Sequence, residues 1–161
     1  MNIYDFIRKQ RQIYKSKTIF ISRKLTFKGY YISTEDIPNS HGVYAAFVKD
    51  RAGNLRLLYI GRAFKTNNLK KRIQEHIDND HNSEMWKKCY DPMMETIVYS
   101  YAEIDDDDII PDIEKTLVFR NKPKINSQDV LNNNIKVFLV RLSCVGHKGC
   151  LRSSVVLMKD L

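Results

Sequence analysis

The sequence predicts an α/β fold of the α+β kind: a small central three-stranded, mainly antiparallel sheet flanked by helices, with extra N- and C-terminal elements. Three observations lead there. Residues 42–48 and 55–60 are apolar runs on either side of Lys49-Asp50-Arg51-Ala52-Gly53-Asn54, whose Asp and Gly-Asn favour a turn, so the two runs form a β-hairpin. Residues 96–104 are apolar on both faces, which marks a third, central strand. Two further stretches carry helical spacing together with helix start and stop residues.

Taken in order, residues 3–14 read as a short basic helix with Ile3, Phe6, Ile7 and Ile13 apolar. Residues 18–32 alternate and are rich in Thr, Ile, Phe and Tyr, giving strands broken at Lys28-Gly29. After the hairpin, Asn67 or Asn68 can cap a helix running to about residue 80, with Leu69, Ile73 and Ile77 on one face. Following the strand at 96–104, Pro111 suits the first turn of a second helix, which ends near Asn121 ahead of Pro123. Residues 135–142 and 154–158 read as additional strands.

At 161 residues the chain has the length of one domain with a buried core. Its net charge of +8 is unevenly placed. Residues 1–38 form a basic N-terminal extension with eight cationic and three anionic side chains, and residues 127–161 a C-terminal extension with five and two. Residues 39–126, the core, hold fourteen of each. Cationic flanks attract polyphosphate by counterion release, though basic residues also serve solubility. Three cysteines are too few and odd in number for a disulfide scaffold. Cys144, His147 and Cys150 have a metal-like spacing without an evident fourth ligand, so small buried or surface thiols are the expectation. No apolar run reaches membrane-spanning length and the first residues are not signal-like, so the expectation is a cytoplasmic protein with no membrane partner.

Several residues stand out chemically. On the second helix, Ile110, Glu114, Leu117, Val118 and Asn121 share a face, which sets one carboxylate in an apolar stripe. Burying that charge requires compensation, either by a metal ion or by an Arg or Lys; spacing alone leaves both open. Arg72 and His76 are four residues apart and share a face of the first helix, beside Lys70 and Lys71; a phosphate-binding face and a merely solvated one are both compatible. His81 falls beyond that helix and reads as a surface histidine. Asp105-Asp106-Asp107-Asp108 precedes Pro111 and reads as a solvated acidic cap, favoured by the helix dipole.

Gly42-Val43-Tyr44 and Tyr59-Ile60-Gly61 sit on the two hairpin strands, followed by Arg62, by Leu69 to His76 with its Arg72, by Glu114 in its helix, and by Asn121-Lys122-Pro123-Lys124-Ile125-Asn126. This order resembles the GIY-YIG nuclease superfamily over roughly residues 41–126, with Val43 in place of the commoner Ile and a longer link between the tyrosines. The resemblance implies a metal-dependent DNA endonuclease that hydrolyses phosphodiesters with one Mg2+ or Mn2+. It implies Glu114 as the metal ligand, Arg72 on the scissile phosphate, and His76 on a nonbridging oxygen or orienting the nucleophile. Tyr44 is then the general base, Tyr59 its orienting partner, Arg62 electrostatic support, and Asn126 a residue that fixes the geometry. Lys70, Lys71, Arg72 and Lys124 are the expected nucleic-acid contacts. A tyrosine base has a reference pKa near 10, so deprotonation at pH 7 costs about 4 kcal/mol unless cations help.

The expected partner is duplex DNA, and the size resembles stand-alone restriction- or phage-type members. Cutting both strands with one site per chain favours a homo-oligomer. The alternatives are a non-catalytic nucleic-acid-binding module with the same fold, and a structure-specific or RNA nuclease.

Overall fold

The computed structural model describes residues 2–5, 20–126 and 139–158. In chain order it contains β1 (Phe20–Tyr31), β2 (Gly42–Lys49), β3 (Leu55–Ala63), α1 (Leu69–Asp78), a 3-10 turn at Asp80–Asn82, α2 (Glu84–Lys87), β4 (Thr96–Glu103), α3 (Ile110–Asn121), β5 (Leu139–Gly146) and β6 (Ser154–Met158). Of the expected N-terminal helix, only residues 3–5 are described, and they are helical; residues 6–19 and 127–138 lie outside.

One expectation is corrected. The sheet is not three-stranded: it has six strands in the order β3-β2-β4-β1-β5-β6 and is mixed. β2 pairs antiparallel with β3 and β4, β1 antiparallel with β4, β1 parallel with β5, and β5 antiparallel with β6. The flanking segments therefore complete the sheet rather than decorate it. The cause is visible in β1. Residues Phe20 to Phe27 pair with β5, whereas Lys28 and Tyr31 pair with β4, with an irregular register between them. The break foreseen at Lys28-Gly29 is thus a change of partner within one strand, which splices two three-stranded halves together. Local alternation identifies a strand but not its neighbour; a parallel partner more than a hundred residues away leaves no local trace. β4 lies between β1 and β2, and its alternate side chains enter the two clusters on opposite faces of the sheet, Val98 and Ala102 in one and Ile97, Tyr99 and Tyr101 in the other.

Alternation along β2 sends Val43, Ala45 and Phe47 to one face of the sheet and Tyr44, Ala46 and Val48 to the other. The first face packs under Ile110, Ile113, Leu117 and Val118 of α3, with Ile21, Leu25 and Phe27 of β1 and Val140 and Leu142 of β5. Each such side chain contributes about 1.5–3 kcal/mol by burial. The second face is covered by Leu69 and Ile73 of α1 and Trp86 of α2, and its core is aromatic: Tyr44, Tyr99, Tyr101 and Trp86. The result is a sheet between two layers of helix.

Helix ends follow the sequence. The Asn68 side chain accepts from the Lys71 amide at 2.8 Å and starts α1. Pro111 lies in the first turn of α3, and Lys122 ends it in the left-handed conformation, its amide returning to the Val118 carbonyl at 2.9 Å. The acidic run does not cap α3 through a side chain. Asp107 instead ties two loops together, accepting from the Lys65 amide at 3.2 Å and pairing with His41 at 2.5 Å. Among the described residues no helix is long and apolar enough to cross a membrane.

Candidate active site

The site gathers at β3, the edge strand, where both faces of the sheet are within reach. Alternation on β3 slips at Leu58: Ala46 pairs with Tyr59 while the next residue, Phe47, pairs with Leu57, leaving Leu58 as a bulge. Two consecutive residues, Leu58 and Tyr59, consequently pack toward the aromatic face. A bulge of this kind re-aims a side chain. Here it brings Tyr59 beside Tyr44 (ring centroids 6.1 Å apart) while Ile60 returns to the α3 side.

The glycines of the two triplets have a steric reason. A Cβ on Gly61 would collide with the ring and hydroxyl of Tyr44, so the absence of a side chain lets that ring lie across β3. A Cβ on Gly42 would strike the Ala102 carbonyl of β4. Asn126 brackets the residue between: its amide accepts from the Ile60 N–H at 3.3 Å and donates to the Ile60 carbonyl, and Ile125 N–H bonds the Leu58 carbonyl at 3.0 Å. A single amide thus takes the place of a neighbouring strand and holds the edge in register.

Tyr59, Arg62, Phe64, Lys65, Thr66, Asn67, Arg72 and Glu114 line one open cleft of about 490 Å³. Arg62 donates to Glu114 at 3.0 Å across the edge of the sheet, and the Glu114 side chain is 17% exposed. The Arg partner that spacing left as one of two ways to compensate Glu114 is therefore present. Arg72 enters the cleft from α1 and pairs with Glu75 at 2.7 Å, which raises its pKa further and keeps it cationic. Beside the cleft, the buried amide oxygen of Asn67 has no hydrogen-bond partner among the described residues. An unmade bond of that kind costs about 1–3 kcal/mol and is recovered when a donor enters.

Tyr44 and His76 lie behind this wall. Tyr44 is wholly buried and its hydroxyl meets His76 Nε2 at 2.6 Å. His76 is 3% exposed and stacked against Trp86, with the edge of Tyr59 5.0 Å from it between ring centroids. Its other nitrogen, Nδ1, meets the Asp80 carboxylate at 2.5 Å. Burial pushes the Tyr44 hydroxyl well above its ordinary pKa, with the neighbouring Tyr59 adding to the effect and Arg72 opposing it. Burial also raises Tyr59, helped by the Glu114 charge, while Arg72 and the neighbouring Tyr44 hydroxyl pull it back. His76 is lowered by burial, against which the Asp80 hydrogen bond and charge work.

The structure therefore unites Tyr59, Arg62, Arg72 and Glu114 in one cleft, keeps Tyr44 and His76 one layer behind, and uses Asn126 to fix the edge strand. Lys70, Lys71 and Lys124 do not line the cleft; Lys71 and Lys124 are exposed, and Lys70 reaches back to the Glu35 carbonyl at 3.4 Å. Sequence reasoning missed Lys65 and Thr66, whose only sign was their place between Arg62 and the helix cap, and took Asn67 only as a possible cap. It also missed Asp80, four residues after His76. His81 is not the surface residue expected: it is half-buried, bonds the Tyr99 hydroxyl at 2.7 Å and stacks on Trp86.

As for metal, no three His, Cys, Asp or Glu side chains converge among the described residues. Cys144 is buried in the core with its thiol pushed up to about 11 by burial, whereas Cys150 is exposed. A single cleft carboxylate does suit a hard cation that takes its remaining ligands from water and substrate phosphate. Compared with family models, with curated proteins and with solved structures, the chain matches none.

Proposed function

We propose that this chain is a metal-dependent DNA endonuclease that hydrolyses phosphodiester bonds, as its resemblance to the GIY-YIG nucleases implies. One observation carries the proposal: Tyr59, Arg62, Arg72 and Glu114, drawn from β3, α1 and α3, meet in one solvent-open cleft. That is a hydroxyl, two guanidinium groups and a carboxylate, a set suited to holding phosphate and moving a proton beside it.

Each residue has a task that follows from its place. Arg72, held by Glu75, presents its planar fork to the phosphate and stabilises the charge that builds on it in the transition state. Glu114 is the residue that would hold Mg2+ or Mn2+, and the bound ion supplies Lewis-acid stabilisation of the phosphoryl oxygens. Arg62 offers the same carboxylate a cation until an ion takes that role. Tyr59 rather than Tyr44 stands at the attacking water, because Tyr44 has no exposure to the cleft. This exchanges the two tyrosine roles that the resemblance implied. With both hydroxyls raised above pKa 10, a free tyrosinate is scarce at neutral pH. Tyr59 therefore works by passing its own proton to Tyr44 as it takes one from water. Cutting both strands of a duplex then calls for two copies of the chain.

The test is incubation of purified protein with supercoiled plasmid, with branched DNA and with RNA, in Mg2+ and in EDTA. Metal-dependent nicking or linearisation of the plasmid is the expected result. Salt-sensitive retention of DNA without cutting of any substrate would overturn it in favour of a binding module.

A further inference from the structure

The geometry points to Asp80 as a positioning residue for catalysis, one that sets the His76 tautomer and thereby the direction of a hydrogen-bond chain running from the cleft to the opposite side of α1. This inference rests on the nuclease reading of the cleft and extends it to a residue outside the motif. Three members are joined by hydrogen bonds, Tyr44, His76 and Asp80 with its side chain 44% exposed, and Tyr59 in the cleft wall, its ring centroid 6.1 Å from that of Tyr44, is the fourth that the inference adds.

Its direction follows from which groups can donate. An ionised Asp80 carboxylate only accepts, so the hydrogen on His76 is on Nδ1. Nε2 is then bare and accepts from Tyr44, whose oxygen keeps a lone pair for a hydrogen from the neighbouring Tyr59. Every hydroxyl thus points away from the cleft, and the Tyr59 oxygen presents a lone pair to an incoming water. When that water attacks phosphorus, its O–H bond breaks as one forms on Tyr59. The Tyr59 proton passes to Tyr44 and the Tyr44 proton to Nε2. The net change is one proton moved from water to His76, with the imidazolium balanced by Asp80. The leaving oxygen takes a proton from solvent, and His76 returns its own by the same path. No tyrosinate accumulates, which removes the difficulty that two buried hydroxyls pose as bases.

The surroundings of His76 leave Asp80 as the group that bonds Nδ1. Arg72 and Glu75 lie on the same helix, Tyr44, Tyr59 and Tyr99 face it from β2, β3 and β4, and His81 follows in the 3-10 turn. A neutral imidazole in water prefers the hydrogen on Nε2, so a His76 held with Nδ1–H is a signature of the chain and independent of any activity.

Two measurements on the full chain test it: imidazole nitrogen shifts by 15N NMR, and single-turnover cutting of plasmid in Mg2+, both for wild type, Asp80→Asn and Asp80→Glu. The wild type is expected to show Nδ1–H at His76. Asp80→Asn can offer Nδ1 a donor as well as an acceptor and no longer balances the imidazolium, so the hydrogen is no longer confined to Nδ1, and cutting falls about ten- to a hundredfold at unchanged DNA affinity. Asp80→Glu restores much of the rate. The partly exposed Asp80 is not a core residue, and an unchanged melting temperature will show that the Asn variant is folded. Nε2–H in the wild type, or full-rate cutting by Asp80→Asn, overturns the chain and leaves the nuclease reading standing. A wild type that cuts no nucleic acid overturns the nuclease reading itself, and with it any catalytic use of Asp80.

Discussion

The two faces of β2 were built from adjacent residues and do different work. Val43, Ala45 and Phe47 enter an apolar layer under α3 that holds shape, a cluster of aliphatic and phenylalanine side chains with the Cys144 thiol. Tyr44, one residue along, enters an aromatic layer in which its hydroxyl bonds His76 and the Tyr99 hydroxyl bonds His81. The first face fixes where the second can place a proton. Only at the β3 edge do they meet, where Glu114 from the apolar side reaches Arg62 and faces Tyr59 and Arg72. A sheet edge is the one place where groups rooted in opposite layers can share a cleft.

That division can be broken at several points. Arg72→Ala removes the guanidinium from the cleft, and plasmid cutting should fall about a hundred- to a thousandfold while the melting temperature barely moves. On the other face, Leu117→Ala opens a cavity under α3. Urea unfolding should show a loss of about 2–5 kcal/mol, with the activity of the remaining folded fraction unaltered. If Leu117→Ala slowed cutting as severely as Arg72→Ala does, the faces would not be separable.

Tyr44→Phe sharpens the comparison, because it belongs to both descriptions. It leaves His76 Nε2 buried without a donor, so stability should drop about 1–3 kcal/mol and cutting should fall as well. Tyr59→Phe, at the cleft, should lose cutting with a smaller stability change.

The aromatic face alone should respond to mild acid. His76 and His81 both have pKa values lowered by burial, so the unfolded chain takes up protons first as pH falls. Stability is fully present above the unfolded histidine pKa of about 6.5 and is lost as pH drops through the lower folded values. Thermal melts from pH 7.5 to 5 should show that decline, and His81→Gln should flatten it. The smallest effect belongs to the exposed Lys71. Lys71→Ala should leave stability unchanged and reduce the salt dependence of DNA binding by about one phosphate contact, or not at all if DNA keeps to the cleft.

How much of this was legible depends on the range over which residues speak to one another. The hairpin, the Asn68 cap, the Pro111 start and the stop before Pro123 are local chemistry, and each lies where the residues indicate. The cleft residues Tyr59, Arg62, Arg72 and Glu114 were named through the resemblance carried by the order of the motifs; spacing alone left Arg72 and Glu114 open. The six-stranded sheet was not, because β1 splits its pairing between β4 and a distant β5, and no periodicity encodes that choice. The Leu58 bulge escaped for a related reason: Leu57 and Leu58 are alike, and only pairing with Ala46 and Phe47 shows which is extra. The roles of the tyrosines turned on that bulge. Asp80 was hidden by its exposure, since an acidic residue after a helix is ordinary until a buried imidazole is found bonded to it.

The central claim is that Glu114 at the sheet edge serves phosphodiester chemistry rather than only an ion pair with Arg62. Glu114→Gln tests it most directly, with single-turnover plasmid cutting in Mg2+ measured beside DNA binding. A fall of about a thousandfold or more in cutting, with binding retained, is the predicted result. Cutting at the wild-type rate by a folded Glu114→Gln protein would contradict it.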